Sequence, residues 1–429
     1  MMMDKLKIAV VGLGYIGLPI AIAFGKKYSV IGFDSKPERI KALTEGIDSI
    51  NDVGAVNLKE MAIEFTDDPE KLNDAGFIII AVPTKVDSSN QPDFNLVLKA
   101  SKTVGMHMRK GAVVVYESSF YPGMTEEKCI PVLEKYSGFQ AGEEFFVGYS
   151  QEHIKPHEPS NIYFKANKVV AGQSKEVCDF IAEVYETVTE ANVFKAKSIR
   201  IAEMAKVFES TQRDVNIALM NELALICNQL GVNTLDVLET ADAKRNPMKF
   251  APNLIGGYSI STDPYFLAYK GMASGHYPAL ILAARNLNEQ MGFTIARTVI
   301  KKIVERNHTA RKLSVIVLGV TYKENESNFF NSKVIDLIRE LQDFGIEVQV
   351  ADPLANPEKS ESLYGIGLTP ESELLPASAV ILAVPHTEYK QAGWRRFERL
   401  LWNKEGIVFD IKSVLEQKGK LETVELWQL

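Results

Sequence analysis

Residues 6–11 (LKIAVV) form a short, branched apolar run that ends directly in Gly12-Leu13-Gly14-Tyr15-Ile16-Gly17. A helical pattern follows over 18–27, then a second apolar run over 28–34 that closes on Asp34. Strand, glycine turn, helix and strand within about 30 residues make the unit that carries a dinucleotide at the head of a parallel sheet. Each glycine has its own task. Gly12 permits the tight turn, Gly14 lets backbone approach a pyrophosphate, and Gly17 lets the helix pack on the sheet. With Tyr15 and Ile16 they form the candidate phosphate-facing turn at a helix N-terminus. Asp34 stands 22 residues after Gly12, where a carboxylate can accept from both ribose hydroxyls and repel a 2′-phosphate. NAD is therefore expected rather than NADP, with Lys36 and Arg39 as nearby cations that weigh the other way.

Further apolar runs at 76–82 (GFIIIAV), 111–116 (GAVVVY) and 144–149 (EFFVGY) read as buried parallel strands separated by helices. Residues 198–230 differ. Ile201, Met204, Ala205 and Phe208, then Ile217, Met220, Leu223, Ala224 and Cys227, recur at three- and four-residue steps with no Pro or Gly, which predicts one long helix. Another helical stretch is expected from about 278 to 306. The last third then repeats the first: 313–318 (LSVIVL) meets Gly319, 334–344 is helical, and 347–352 ends in an acid. In the same order, AVILAVP echoes IIIAVP and GIVFDIKS echoes GAVVVYES. The second copy lacks the second and third glycines, so a different ligand is expected there.

The predicted fold class is α/β: two doubly wound Rossmann-like domains joined by a helical middle domain with one long helix. The expected boundaries are 1–195, 196–308 and 309–429. A chain of 429 residues is too long for one core, and 46% hydrophobic with 24% charged residues excludes disorder. Its 48 basic and 55 acidic residues argue against a nucleic-acid-coating role. No apolar run reaches membrane-spanning length and no signal peptide is visible. Cys129, Cys178 and Cys227 and the scattered histidines form no disulfide framework or metal constellation. A cytoplasmic protein without metal, nucleic acid or membrane partner is expected.

The segments GLGYIGLP, AVPT, ESSFYPG, GYSQEHI, AEMAKVFESTQRDVNIALMNELA, GGYSISTDPYFL, GVTYKENES and NSKVIDLIREL occur in this order along nearly the whole chain. In this pattern the sequence resembles the UDP-glucose/GDP-mannose dehydrogenase family, and most closely its branch acting on UDP-N-acetylhexosamines for surface polysaccharides. The resemblance implies a four-electron oxidation of a sugar C6 alcohol with two NAD, through a cysteine thiohemiacetal and thioester. It also implies cofactor contacts at Val82, Pro83, Thr84 and Ser118, and substrate contacts at Lys206, Phe250, Gly256, Gly257, Tyr258 and Lys323. Lys206, Asp263 and Glu152 stand at the positions of the family's lysine, aspartate and glutamate. A homodimer built on the long helix is implied as well.

The chain departs from the family pattern where the chemistry lies. Ser259 stands at the cysteine position, Tyr258 at that of the histidine and Ser210 at that of the asparagine. Lys85, His153 and Phe330 replace a proline and two arginines. A serine hydroxyl needs a strong adjacent base, and the ester it would form hydrolyses slowly, so the second oxidation should suffer more than the first. Three readings remain open. The chain is a 6-dehydrogenase working through the aldehyde hydrate, an NAD-retaining epimerase that oxidises transiently, or a non-catalytic NAD- and UDP-sugar-binding homologue. The bland readings stand beside these: Lys206 and Glu209 as a solvated i, i+3 pair, Ser259 as an inert turn residue, and Tyr258, Tyr265 and Phe266 as packing aromatics.

Overall fold

The structure is a computed structural model that describes residues 6–48, 58–151, 167–243, 250–306, 313–391 and 393–429. The chain divides into two compact units, Met1–Ser210 with Thr262–Tyr277 and Thr211–Ser261 with Pro278–Leu429.

In the first unit the elements run β1 (Lys7–Val11), α1 (Gly17–Gly25), β2 (Ser29–Phe33), α2 (Pro37–Thr44), β3 (Ile63–Thr66), β4 (Phe77–Ile80), β5 (Lys85–Val86), β6 (Pro92–Asp93) and α3 (Asn95–His107). Then follow β7 (Val113–Tyr116), α4 (Ile130–Ser137), β8 (Phe146–Ser150), β9 (Lys168–Gly172), α5 (Lys175–Glu186), β10 (Val193–Lys195) and the first part of α6 (Ile199–Leu230). The sheet order is β10-β9-β8-β7-β4-β1-β2-β3, parallel except where β8 meets β9. The strand order reverses between β1 and β4, which opens the crevice at their carboxyl ends where such sheets bind ligands. β1, β4 and β7 are apolar throughout because both faces of the sheet are covered by packed side chains. The expected runs form strands whose ends shift by one to three residues. The antiparallel β9, the edge strands β3 and β10 and the β5–β6 hairpin had no periodic signal strong enough to announce them.

The second unit continues α6 and adds α7 (Thr234–Asp242); α8 (Asp263–Ala273) returns to the first unit. There follow α9 (Ala279–Arg306), β11 (Ser314–Leu318), α10 (Lys333–Asp343), β12 (Glu347–Ala351), α11 (Pro357–Tyr364), β13 (Ala379–Leu382), α12 (Thr387–Gln391), α13 (Trp394–Leu400), β14 (Gly406–Asp410) and β15 (Val424–Gln428). Its sheet, β12-β11-β13-β14-β15, is wholly parallel. α10 buries Val334, Ile335, Leu337, Ile338 and Leu341, an apolar stripe at helical spacing. The long helix forms as its periodicity predicts, over 32 residues. Its apolar residues do not all turn inward, however. Ala202 and Val207 are buried, whereas Ile201, Met204 and Phe208 lie exposed on one stripe. No helix among the described residues is long and apolar enough to cross a membrane.

Candidate functional site

The glycine turn between β1 and α1 is built as its spacing demands. Gly12 has φ +92°, and a Cβ there would lie 2.8 Å from a Val82 methyl. A Cβ on Gly17 would fall 1.8 Å from the Gly12 carbonyl oxygen, so only glycine lets α1 approach the turn this closely. Gly14 is the opposite case, with open space where its Cβ would be. That opening is what a pyrophosphate approaching the backbone requires.

Asp34 directly follows β2 and faces the same turn. Its Oδ2 accepts the Leu13 N–H at 2.9 Å and its Oδ1 the Lys36 N–H at 3.0 Å, which fixes the carboxylate and leaves lone pairs for two hydroxyls. Arg39 is nearly buried. Its Nε donates to the Leu13 carbonyl at 3.0 Å, and its Nη1 pairs with Asp48 at 2.8 Å. The cation that sequence alone offered to a 2′-phosphate is thus already engaged inside the fold. Gly12, Gly14, Asp34, Lys36, Arg39, Val82 and Pro83 line one cavity of about 960 Å³. Tyr15, Ile16, Gly17, Thr84 and Ser118 are not in that lining. Gly17 and Ile16 are buried at the start of α1, and Ser118, at the end of β7, donates its hydroxyl to the Val82 carbonyl at 2.6 Å.

The strand end that carries Ser118 rests on a buried polar network. Glu117 accepts from Lys168 at 3.0 Å and from the Tyr185 hydroxyl, while Lys168 also donates to the Gln151 carbonyl at 3.2 Å. Gln151 in turn donates from Nε2 to Glu209 of α6 at 3.1 Å. Glu209, a candidate for a solvated pair with Lys206, is thereby held from the strand side. On the inner side of α6, Lys206 and Ser210 are both nearly buried, and Ser210 donates to Asp263 Oδ2 at 2.7 Å. Asp263 opens α8 with Pro264 behind it, and Phe266 of that helix is buried among the aromatics of the first unit. Two segments distant in sequence, α6 with Lys206 and Ser210 and α8 with Asp263, therefore meet in one unit.

The remaining candidates lie in the second unit. Asn221 of α6 clamps the loop after α7 at both polar groups of Asn253, donating to its carbonyl at 3.0 Å and accepting its N–H at 2.8 Å. Asn221 is itself held by Asn288, and Asn288 by Asp214, which pairs with the buried Arg285 at 2.6 Å. Burial pushes the Asp214 carboxyl up despite that guanidinium. Beyond Asn253, Gly256 and Gly257 pack against Tyr322 and Asn331 so closely that a Cβ on Gly256 would lie 2.5 Å from the Asn331 carbonyl oxygen. Tyr258 stacks on Phe330 with centroids 4.3 Å apart and planes 3° from parallel, so the two aromatic departures noted in the sequence meet each other. Ser259 follows, half-buried, as is Phe250 upstream. Lys323 pairs with Glu326 at 2.9 Å. Glu152 and His153 lie outside the described residues.

The second sheet repeats the turn-and-acid arrangement of the first, but with the acid fully engaged. Val320 N–H donates to Asp352 Oδ2 at 2.7 Å, as Leu13 does to Asp34, but Asp352 Oδ1 is taken by the N–H groups of Leu354 and Ala355. His386, in the place of Thr84 after the echoed Val-Pro, accepts the Asn325 N–H on Nδ1 at 2.8 Å and turns Nε2 toward Asp352 at 3.2 Å. A ribose would find that acid fully occupied, in keeping with the missing glycines.

Three family models match the chain in order: the NAD binding domain of the UDP-glucose/GDP-mannose dehydrogenase family at residues 6–189, its central domain at 200–290 and its UDP binding domain at 316–417. The chain belongs to the UDP-glucose/GDP-mannose dehydrogenase family. It is 46% identical to protein CapL of Staphylococcus aureus, over 98% of this chain and 99% of that one. It is 42% identical to the UDP-N-acetyl-D-glucosamine 6-dehydrogenase of Pseudomonas aeruginosa, over 97% and 98%. The solved UDP-D-ManNAc dehydrogenase of Pyrococcus horikoshii superposes with a TM-score of 0.87 at 29% identity, covering 98% of this chain and 99% of that one. The chain is accordingly an NAD-dependent oxidoreductase of the UDP-sugar dehydrogenase class, and the cradle of Gly12, Gly14 and Asp34 fits NAD.

Proposed function

We propose that this enzyme oxidises C6 of a UDP-N-acetylhexosamine in surface polysaccharide synthesis; relatives named UDP-N-acetyl-D-glucosamine 6-dehydrogenase support the substrate class and the position oxidised. The observation that carries the reading is the buried Ser210–Asp263 hydrogen bond one turn along α6 from Lys206, in the same unit as the dinucleotide cradle. Bound NAD supplies the hydride acceptor. The Lys206 ammonium is suited to stabilise negative charge on the C6 oxygen as its proton leaves. Asp263, oriented by Ser210, is suited to hold that proton or to activate water. With Ser259 at the cysteine position, the second oxidation runs through the aldehyde hydrate and is the slower step. Glu152, on the segment after β8, is the candidate to assist it.

We assign NAD binding to residues 1–195, a central helical part to 196–308 and UDP-sugar binding to 309–429. Lys323, Phe250, Gly256, Gly257 and Tyr258 serve the sugar nucleotide. The exposed stripe of Ile201, Met204 and Phe208 supports a homodimer formed on α6, and a cytoplasmic location suits both substrates. The test is turnover with NAD and a panel of UDP-sugars, with NADH and sugar products followed together. UDP-N-acetylhexosamines should yield NADH and oxidised sugar. An altered sugar without free NADH would replace this reading with transient oxidation, and intact binding with no turnover would replace it with a non-catalytic role.

A further inference from the structure

Glu203 precedes Lys206 by three residues on α6, so the two side chains leave neighbouring points of one helical face. It is fully buried. Its Oε2 accepts the Gly123 N–H at 2.6 Å, and its Oε1 accepts the N–H and the hydroxyl of Thr125 at 2.9 and 2.6 Å. These donors belong to the turn that leaves β7 just after Ser118 and opens the helical segment Thr125–Cys129, which runs into α4. The first N–H groups of a helix need acceptors, and here Met124 provides no side-chain cap. A carboxylate from α6 supplies it instead. Gly123 sits at φ +98°, a conformation that side-chain-bearing residues rarely adopt, so the turn depends on a glycine here.

We propose that Glu203 is a positioning residue for the oxidation: by gripping Gly123 and Thr125 it sets α6 against the strand end carrying Ser118, and so fixes where the Lys206 ammonium stands. The inference rests on the role given to Lys206 above. Burial raises the Glu203 carboxyl to about 7, against the downward pull of its three hydrogen bonds, so the grip tightens as it ionises through neutrality. The groups around it are Glu126, which pushes it further up, Glu127, and the buried Tyr121 and Cys129, both held neutral by burial. Arg200 pairs with Glu126 at 2.8 Å, and Lys270 of α8 pairs with Glu127 at 2.6 Å, so neither cation is committed to Glu203.

The experiment uses the full chain with Glu203→Gln, which keeps one acceptor oxygen and turns an amide N–H toward a donor. At pH 8 with NAD and UDP-N-acetylglucosamine, kcat should fall at least tenfold while KM for NAD stays within twofold. The rise of kcat through pH 7 in the parent should vanish. A readout independent of turnover is trace acetylation by acetic anhydride, followed by peptide mass spectrometry. The rate at Lys206 should change at least threefold and that at Lys302 should not. Thr125→Val, which removes only the hydroxyl, should shift both readouts the same way by less, and it decides the matter if the Gln variant does not fold. Unchanged labelling of Lys206 and an unchanged pH profile would overturn the proposal. A parent enzyme inactive on every UDP-sugar would instead overturn the proposed function, with the labelling still deciding the role of Glu203.

Discussion

Replacing Asp34 by Asn should collapse the preference for NAD over NADP. The carboxylate is fixed by the N–H groups of Leu13 and Lys36, one on each oxygen, and its remaining lone pairs face the cavity that Gly12 and Gly14 also line. A hydrogen bond to a charged acceptor contributes roughly 1.5–3 kcal/mol. Asn retains one acceptor oxygen, loses the charge, and must aim its amide at one of two backbone donors. A loss of about 2–3 kcal/mol follows, or about 30- to 150-fold in NAD affinity. For NADP the balance differs: a unit charge about 5 Å from the carboxylate is repelled by about 3 kcal/mol at an effective dielectric of about 20. That repulsion disappears in the variant, while Arg39 stays tied to Asp48 and adds no new attraction. Fluorescence titration of both cofactors, with a thermal melt as control for folding, measures the effect. Parent affinities should differ by at least about 100-fold and variant affinities by less than about tenfold. A folded variant that binds NAD within threefold of the parent, with the ratio intact, would refute the role given to Asp34.

Other perturbations separate packing from binding. Gly14→Ala, which meets nothing within 4 Å, should melt within a few degrees of the parent yet lose NAD affinity about tenfold or more, whereas Gly17→Ala, aimed at the Gly12 carbonyl oxygen 1.8 Å away, should lower the melting temperature sharply. Asn221→Ala strands both polar groups of Asn253 and should cost about 3 kcal/mol in urea unfolding, with KM for the UDP-sugar rising more than KM for NAD. Because the folded Glu203 carboxyl is raised to about 7, its unfolded counterpart ionises first. Stability should therefore fall as pH rises from the ordinary carboxylate range through 7, and Glu203→Gln should flatten that slope in melts across pH 5–8.

The parts of this molecule that were legible from the chain are those governed by short-range rules. Gly12, Gly14, Gly17 and Asp34 are close enough in sequence for one turn to relate them, and the strands β1, β4 and β7 are apolar on both faces. The long helix was legible from its period, but its direction was not. Ile201, Met204 and Phe208 share the period of the buried residues while facing out, because periodicity marks a face without saying what covers it. Contacts between distant residues were out of reach: Glu203 with Thr125, Asn221 with Asn253, Lys168 with Glu117. For Glu203 the available signal was its place three residues before Lys206. Arg39 is a further long-range case: it lines the cofactor cavity as its place near Asp34 suggests, but its pairing with Asp48 could not be read from the chain.

The most direct test of the account is a single-turnover experiment with NAD and UDP-N-acetylglucosamine deuterated at C6, with NADH followed in a rapid-mixing instrument and the aldehyde trapped by hydroxylamine. The account predicts one rapid equivalent of NADH per active site, slowed at least twofold by deuterium, then a slower second equivalent, with trappable aldehyde between them. Asp263→Asn should abolish the first phase. No NADH and no loss of deuterium from C6, in an enzyme that binds both ligands, would contradict it.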